Sequence, residues 1–288
     1  MFVKAIETIA GAIRPMHVIR RRFGDNAILP DISTLFFVNE YGYALTSKRT
    51  ATMLNAANAV EQQYKTFLAR RSALAHDESF RFAEKRLESD MKLTKDSIIE
   101  IKFSFLGCAN GNSRVQCIPH PKYDLALLHF LPENGYAYTG HVTFAANAPK
   151  QGQSVCRLGF SIPEFKNFRY DAEQNQISFT ELGKNSSALF ALDGIVTRFI
   201  SDGERAFAIE TTNAGTIGMN GAPLFDTEGR VLGVQSGLGI MMLGADVKMD
   251  LPNREPFVDR GAMHLAVNTH LDVIKDFLKA QNVTYYEA

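Results

Sequence analysis

Net charge is the first thing this 288-residue sequence lacks, because 31 Lys and Arg are matched by 31 Asp and Glu. A balanced chain offers no global field for nucleic acid or an anionic membrane surface, so neither is an expected partner. Basic runs such as Arg20-Arg21-Arg22 are short and read as a solvated strand end or turn. Long apolar runs are missing too, and nothing approaches the roughly 18 uninterrupted apolar residues of a membrane helix. The apolar residues of 1–13 are interrupted by Lys4 and Glu7, so a signal-peptide core is not present there. Cysteine is scarce. Cys108, Cys117 and Cys156 cannot build a disulfide framework, and three free thiols suit a reducing compartment, so the cytoplasm is the expected location. An Asn110-Gly111 turn predicts a two-residue hairpin that sets Cys117 opposite Ser104, so Cys108 and Cys117 are not cross-strand partners. Neither CxxC nor HxxxH spacing occurs, and no metal or other cofactor is expected. Internal repeats and low-complexity linkers are also absent.

What is there is an ordinary globular composition, 45% hydrophobic and 22% charged, long enough for one compact unit or two closely packed subdomains. Apolar residues at helical spacing (Phe2, Ile6, Ile9, Ile13) predict a helix over 2–13 that stops at Pro15, with a strand over 16–23 after it. Residues 34–39 and 43–46 read as strands joined by a turn at Glu40-Tyr41-Gly42. From 53 to 93 the pattern changes: Ala, Glu, Lys, Arg and Gln dominate, with no Gly or Pro. This predicts one or two helices, split near His76-Asp77-Glu78-Ser79. One face is solvated; Tyr64, Phe67, Leu68 and Leu74 turn to the protein body or a partner. Beyond residue 98 short strands punctuated by turns follow one another, which argues an all-β barrel or sandwich. A last helix over 271–280 has Asn268 or Thr269 as its expected cap.

Four segments carry a family resemblance. Phe36-Phe37-Val38-Asn39-Glu40-Tyr41-Gly42-Tyr43-Ala44-Leu45-Thr46-Ser47-Lys48-Arg49 is similar to the histidine motif of trypsin-like serine peptidases. Tyr123-Asp124-Leu125-Ala126-Leu127-Leu128 looks like their aspartate strand. Gly218-Met219-Asn220-Gly221-Ala222-Pro223-Leu224 matches their Gly-Asn/Asp-Ser-Gly-Gly-Pro-Leu nucleophile loop. Gly261-Ala262-Met263-His264-Leu265-Ala266-Val267 resembles their last strand before the terminal helix. All four stand in the family's order, and the pattern is closest to its bacterial, Htr-type branch.

The resemblance implies an all-β fold of two six-stranded-type β-barrels with a helical insertion and a C-terminal helix, in a single unit spanning 1–288. The N-terminal barrel is expected over about 15–140, interrupted by the insertion at 53–93. The C-terminal barrel follows over about 150–268, and the helix over 271–280. It also implies a triad at Arg49, Asp124 and Asn220, and there the chemistry fails. A serine hydroxyl becomes a nucleophile when a base removes its proton, whereas the nitrogen lone pair of a carboxamide is delocalised. The base must accept and return a proton near neutral pH, whereas arginine stays protonated and only donates. Asp124 is instead expected to pair with the Arg49 guanidinium across the two barrels, at a cost of about 3–5 kcal/mol if that buried pair were broken.

By the same resemblance, the N–H groups of Gly218 and Asn220 form an oxyanion-hole-like nest, which Met219 and the added methyl of Ala222 disturb. Ala214 is placed at the base of the specificity pocket, where an uncharged residue favours small apolar side chains. Gln235, Ser236 and Gly237 are placed on the wall strand that pairs with an extended peptide. The expected activity is that of a catalytically inactive peptidase homologue, a peptide- or protein-binding or regulatory module. Its partner is expected in the old cleft or on the helical insertion. The alternative is a hydrolase working with unorthodox residues; neither His120 nor His129, nor Thr216 nor Ser236, brings a recognisable nucleophile–base pair to it.

Overall fold

The computed structural model describes every residue except 76, 78, 204, 245–246, 250–256 and 260. Two curled sheets dominate it. The first runs in the order β4-β1-β2-β3-β6-β5, built from β1 (Ile13–Arg22), β2 (Ile28–Phe37), β3 (Tyr43–Thr46), β4 (Ile98–Ser104), β5 (Ser113–Pro119) and β6 (Ala126–Pro132). Alternation along β2 sorts its side chains between two cores. Leu35 and Phe37 point into this sheet's own interior with Met16, Leu128 and Phe130, while Ile32 and Phe36 join a larger core shared with the second sheet.

Strands β4 and β5 do not pair, so the Asn110-Gly111 hairpin expected from sequence does not form. They lie at opposite edges of the sheet, β4 against β1 and β5 against β6. The gap between them is covered by α2 (Lys48–Ser72), which packs on both. Glu61 of α2 holds Lys102 of β4 at 2.8 Å, and the Cys117 thiol of β5 reaches the Ala51 carbonyl. Covering exposed strand edges with a helix is a standard way to prevent edge-to-edge pairing. The helix starts five residues before the expected position because the Ser47 side chain accepts the Thr50 N–H as its cap. A second helix, α3 (Phe80–Asp90), follows. Of the residues at the expected split, His76 and Glu78 lie outside the described set.

The second sheet comprises β7 (Thr143–Phe144), β8 (Ser154–Phe160), β11 (Leu189–Asp202), β12 (Arg205–Thr211), β13 (Pro223–Phe225), β14 (Arg230–Met242), β17 (Ala262–His270) and β18 (Tyr286–Glu287). Because β13 pairs with both β8 and β14, six of these strands close into a hydrogen-bonded ring, with β7 and β18 added in parallel beside β14. Two small hairpins, β9 (Phe168–Asp171) with β10 (Gln176–Phe179) and β15 (Val247–Met249) with β16 (Phe257–Asp259), stand apart from it. The fold is therefore mostly β, with two barrel-like sheets.

The N-terminal helix α1 covers only Val3–Ala10, and Pro15 sits inside β1 instead of stopping the helix. Strand β4 pairs with β1 only from His17 onward, so the missing Pro15 N–H leaves no ladder bond unmade on that side. At the other end, α4 (Leu271–Ala280) buries Leu271, Ile274, Phe277 and Leu278 in the shared core. Its cap is His270, whose Nδ1 accepts the Asp272 N–H at 3.2 Å; neither Asn268 nor Thr269 takes that role. Among the described residues no helix is long and apolar enough to cross a membrane.

Candidate functional site

The nucleophile loop is bound into the body of the protein. Residues Ile217–Met219 form a single 3-10 turn, and the Asn220 N–H donates to the Ile217 carbonyl at 3.1 Å. This N–H is therefore spent inside the loop, and the expected oxyanion-hole-like nest with Gly218 is not formed by it. The Asn220 carbonyl accepts from the Ser33 hydroxyl at 2.8 Å and from the Thr34 N–H at 3.1 Å. Its side-chain oxygen accepts from Gln235 Nε2 at 3.1 Å. Asn220 is thus a buried node tying β2 to β14.

Gly221 makes the turn possible. Its φ is +88°, and a Cβ there would lie 2.2 Å from the Thr34 carbonyl, so only glycine fits. Gly218 is pressed against the other sheet's end, where a Cβ would meet the Ser161 carbonyl at 2.5 Å. The methyl of Ala222 is accommodated because it lies over Gly159, which has no side chain to oppose it.

Asp124 meets Arg49 through the main chain. The Arg49 N–H donates to Asp124 Oδ1 at 3.0 Å, and the expected guanidinium–carboxylate pair is not the contact made. The physical reason is the helix: Arg49 lies in the first turn of α2, where backbone N–H groups lack intrahelical partners and attract a carboxylate. Burial pushes the Asp124 pKa up, and the main-chain donors of Arg49 and Lys48 oppose that rise. The Arg49 side chain is exposed and lines a cleft of about 170 Å³ together with Arg20, Asp31, Met53, Ile217 and Asn220. Arg20 and Asp31 pair there at 3.0 Å, which leaves Arg49 as the cleft's unbalanced positive charge among its lining residues.

Arg49 and Asn220 thus line one cleft, and Asp124 is tied to it through the Arg49 N–H. The family model of the trypsin-like peptidase domain matches residues 34–234, well over half of the chain. The chain belongs to the trypsin-like peptidase family. Among solved structures it is similar to an HtrA-type protease, AlgW in a substituted form with a tripeptide, at 10% identity and a TM-score of 0.49. That match covers 97% of this chain and 63% of the other, so the chain spans less than two thirds of its length. No curated protein sequence matches.

Around this trypsin-like cleft the remaining positions take varied roles. Ala214 is exposed, and its carbonyl accepts from Arg157 Nη2 at 2.5 Å. Gln235 is fully buried and bridges the Thr216 carbonyl to Asn220 through its Nε2. Ser236 donates to the Val267 carbonyl at 3.2 Å, and Gly237 pairs with Val267 past a bulge in β14. Thr216 accepts from the Ser161 hydroxyl. His120 accepts the Lys122 and Tyr123 N–H groups, and His129 stacks on Tyr43, so neither serves the loop. Among the described residues no three His, Cys, Asp or Glu side chains gather to hold a metal.

Three features had no sequence signal. Ser33 and Thr34 clamp the nucleophile loop, with Thr34 Oγ1 also accepting the Phe160 N–H at 3.0 Å. The Ser187 hydroxyl lies 3.3 Å from His17 Nε2, away from the cleft. Burial holds that imidazole's pKa down to about 4, which makes it a poor base at neutral pH. Arg157 is the third; no spacing rule connects a strand arginine with a loop carbonyl 57 residues later.

Proposed function

We propose that this chain is a trypsin-like peptidase that has lost catalysis and holds a peptide or protein segment in its former substrate cleft, as a binding or regulatory module. The observation that carries this reading is the bonding of Asn220. Its N–H, its carbonyl and its side-chain oxygen are all spent on structural partners. A carboxamide cannot supply the nucleophile, and a guanidinium at Arg49 cannot take up the proton. An oxyanion would have to break the 3-10 turn to gain the Asn220 N–H, so the preorganisation that catalysis needs is missing.

Binding needs none of these parts. The stretch of β14 that includes Ser236 and Gly237 pairs with β17 on one side, while β13 covers β14 only as far as Val234. An extended peptide added at the uncovered edge would gain main-chain hydrogen bonds without being cut. Hydrogen exchange in the presence of an unfolded substrate protein tests this. Protection of the amides of residues 236–239 is the expected outcome. Protection confined to α2 and α3 would move the contact to the helical insertion, and no protection anywhere would contradict peptide binding.

A further inference from the structure

Arg157 lies on β8, and the structure leaves none of its side chain exposed to solvent. Its Nη2 donates to the Ala214 carbonyl at 2.5 Å, but its Nε and Nη1 have no hydrogen-bond partner. No carboxylate lies within ion-pairing distance of it among the described residues, although many other arginines of the chain are paired with one. A buried, unpaired guanidinium is among the most unfavourable groups a core can hold, costing several kcal/mol. Titration does not relieve it: burial lowers its pKa only to about 10, so the group stays charged at neutral pH.

An uncompensated charge of this kind points to a partner that arrives from outside. Its one bond fixes where: Ala214 is exposed, and the family resemblance places it at the base of the specificity pocket. Beside it, Gly215 has no side chain, and the space a Cβ would take is held by the tip of Leu238, 2.3 Å away. Leu238 is itself 48% exposed, so its side chain can swing outward without disturbing the backbone.

Resting on the peptide-binding reading above, we propose that the pocket beside Ala214 takes a carboxylate side chain of the bound peptide, glutamate or aspartate, with Arg157 as its counter-charge. The partnerless Nη1 of Arg157 and the second hydrogen of Nη2 form an end-on fork that fits the two oxygens of one carboxylate. The small apolar side chain that Ala214 alone implies is therefore not the preferred occupant. Leu238 acts as the pocket's cover.

The test uses the full chain and four fluorescently labelled octapeptide libraries. Each is random except at one fixed position, which holds Glu, Gln, Ala or Lys, and binding is read by anisotropy at low ionic strength. The expected result is at least tenfold tighter binding of the Glu library than of the Gln library. Arg157→Met should abolish that preference and raise Tm, because it removes a buried charge. Arg157→Lys should keep a weakened preference and shows that loss in the Met variant is not misfolding. Binding of all four libraries without a Glu preference, or a preference that survives Arg157→Met, would overturn the proposal alone. A lower Tm in Arg157→Met with unchanged peptide discrimination would make Arg157 a core strut and also overturn it. Failure of every library to bind would overturn the peptide-binding reading beneath it.

Discussion

His17 shows what one buried titratable side chain does to the pH behaviour of this chain. It stacks on Phe165 with ring centroids 4.1 Å apart and is 1% exposed. Burial holds its pKa at about 4, below the value near 6.5 in the unfolded chain. A depressed folded-state pKa contributes stability that is complete above about pH 6.5 and is lost as pH falls towards 4; for His17 this is on the order of 2–3 kcal/mol. Asp124 and Glu100 have the opposite sign, since burial raises both. Their stability is complete below their unfolded values and is lost as pH rises through the folded ones. His17→Phe should therefore flatten the fall in Tm between pH 6.5 and 4, whereas an unchanged acid limb would rule out the assignment. At Asp124 the magnitude discriminates between contacts. Loss of a main-chain helix-start acceptor costs about 1 kcal/mol, or about 2 °C in a chain of this size. Asp124→Ala should show a Tm drop of that order, and Asp124→Asn a smaller one. A drop several times larger in both would restore the guanidinium pair. Neither His17 burial nor the Arg49 main-chain contact was legible in the sequence, because residue identity says nothing about which atom of a neighbour is met.

Among the elements, α2 matters most to the integrity of the first sheet. Its helical character was legible from composition alone, since residues 53–93 contain neither glycine nor proline and few strand formers. Its role was not, because strand spacing cannot tell that β4 and β5 end up at opposite edges with a helix across the gap. Removing residues 54–92 should uncover both edges and drive self-association, visible as a rise in mass by light scattering. A monodisperse product with the original Tm would contradict that role for the helix. The nucleophile loop offers a tighter check. Gly221→Ala forces a methyl against the Thr34 carbonyl, which belongs to a paired strand and cannot retreat. The expected destabilisation exceeds the ~1 kcal/mol of a positive φ alone, because a steric clash adds to it. Equal Tm values for this variant and the parent would mean that the loop is not clamped.

At the scale of the molecule, the family was legible because four motifs keep their order and their glycine and proline punctuation even though Arg49 and Asn220 stand where the resemblance leads one to expect histidine and serine. Those punctuation residues serve the fold: Gly221, Gly218 and Pro223 set the loop whatever side chain stands at residue 220. Asn220 and Asp124 are bound into the scaffold, the first by Ser33, Thr34 and Gln235 and the second by the Arg49 N–H, while the Arg49 side chain stays exposed in the cleft. Arg157 was illegible for the converse reason, since an arginine among strand residues reads as solvated until the structure shows it buried. The most direct test of lost catalysis is turnover of a fluorogenic unfolded-protein substrate by the purified chain beside Asn220→Ala. Equal signals at the level of a no-enzyme blank are expected. Turnover above that level in the parent, abolished by Asn220→Ala, would show that the cleft still cuts.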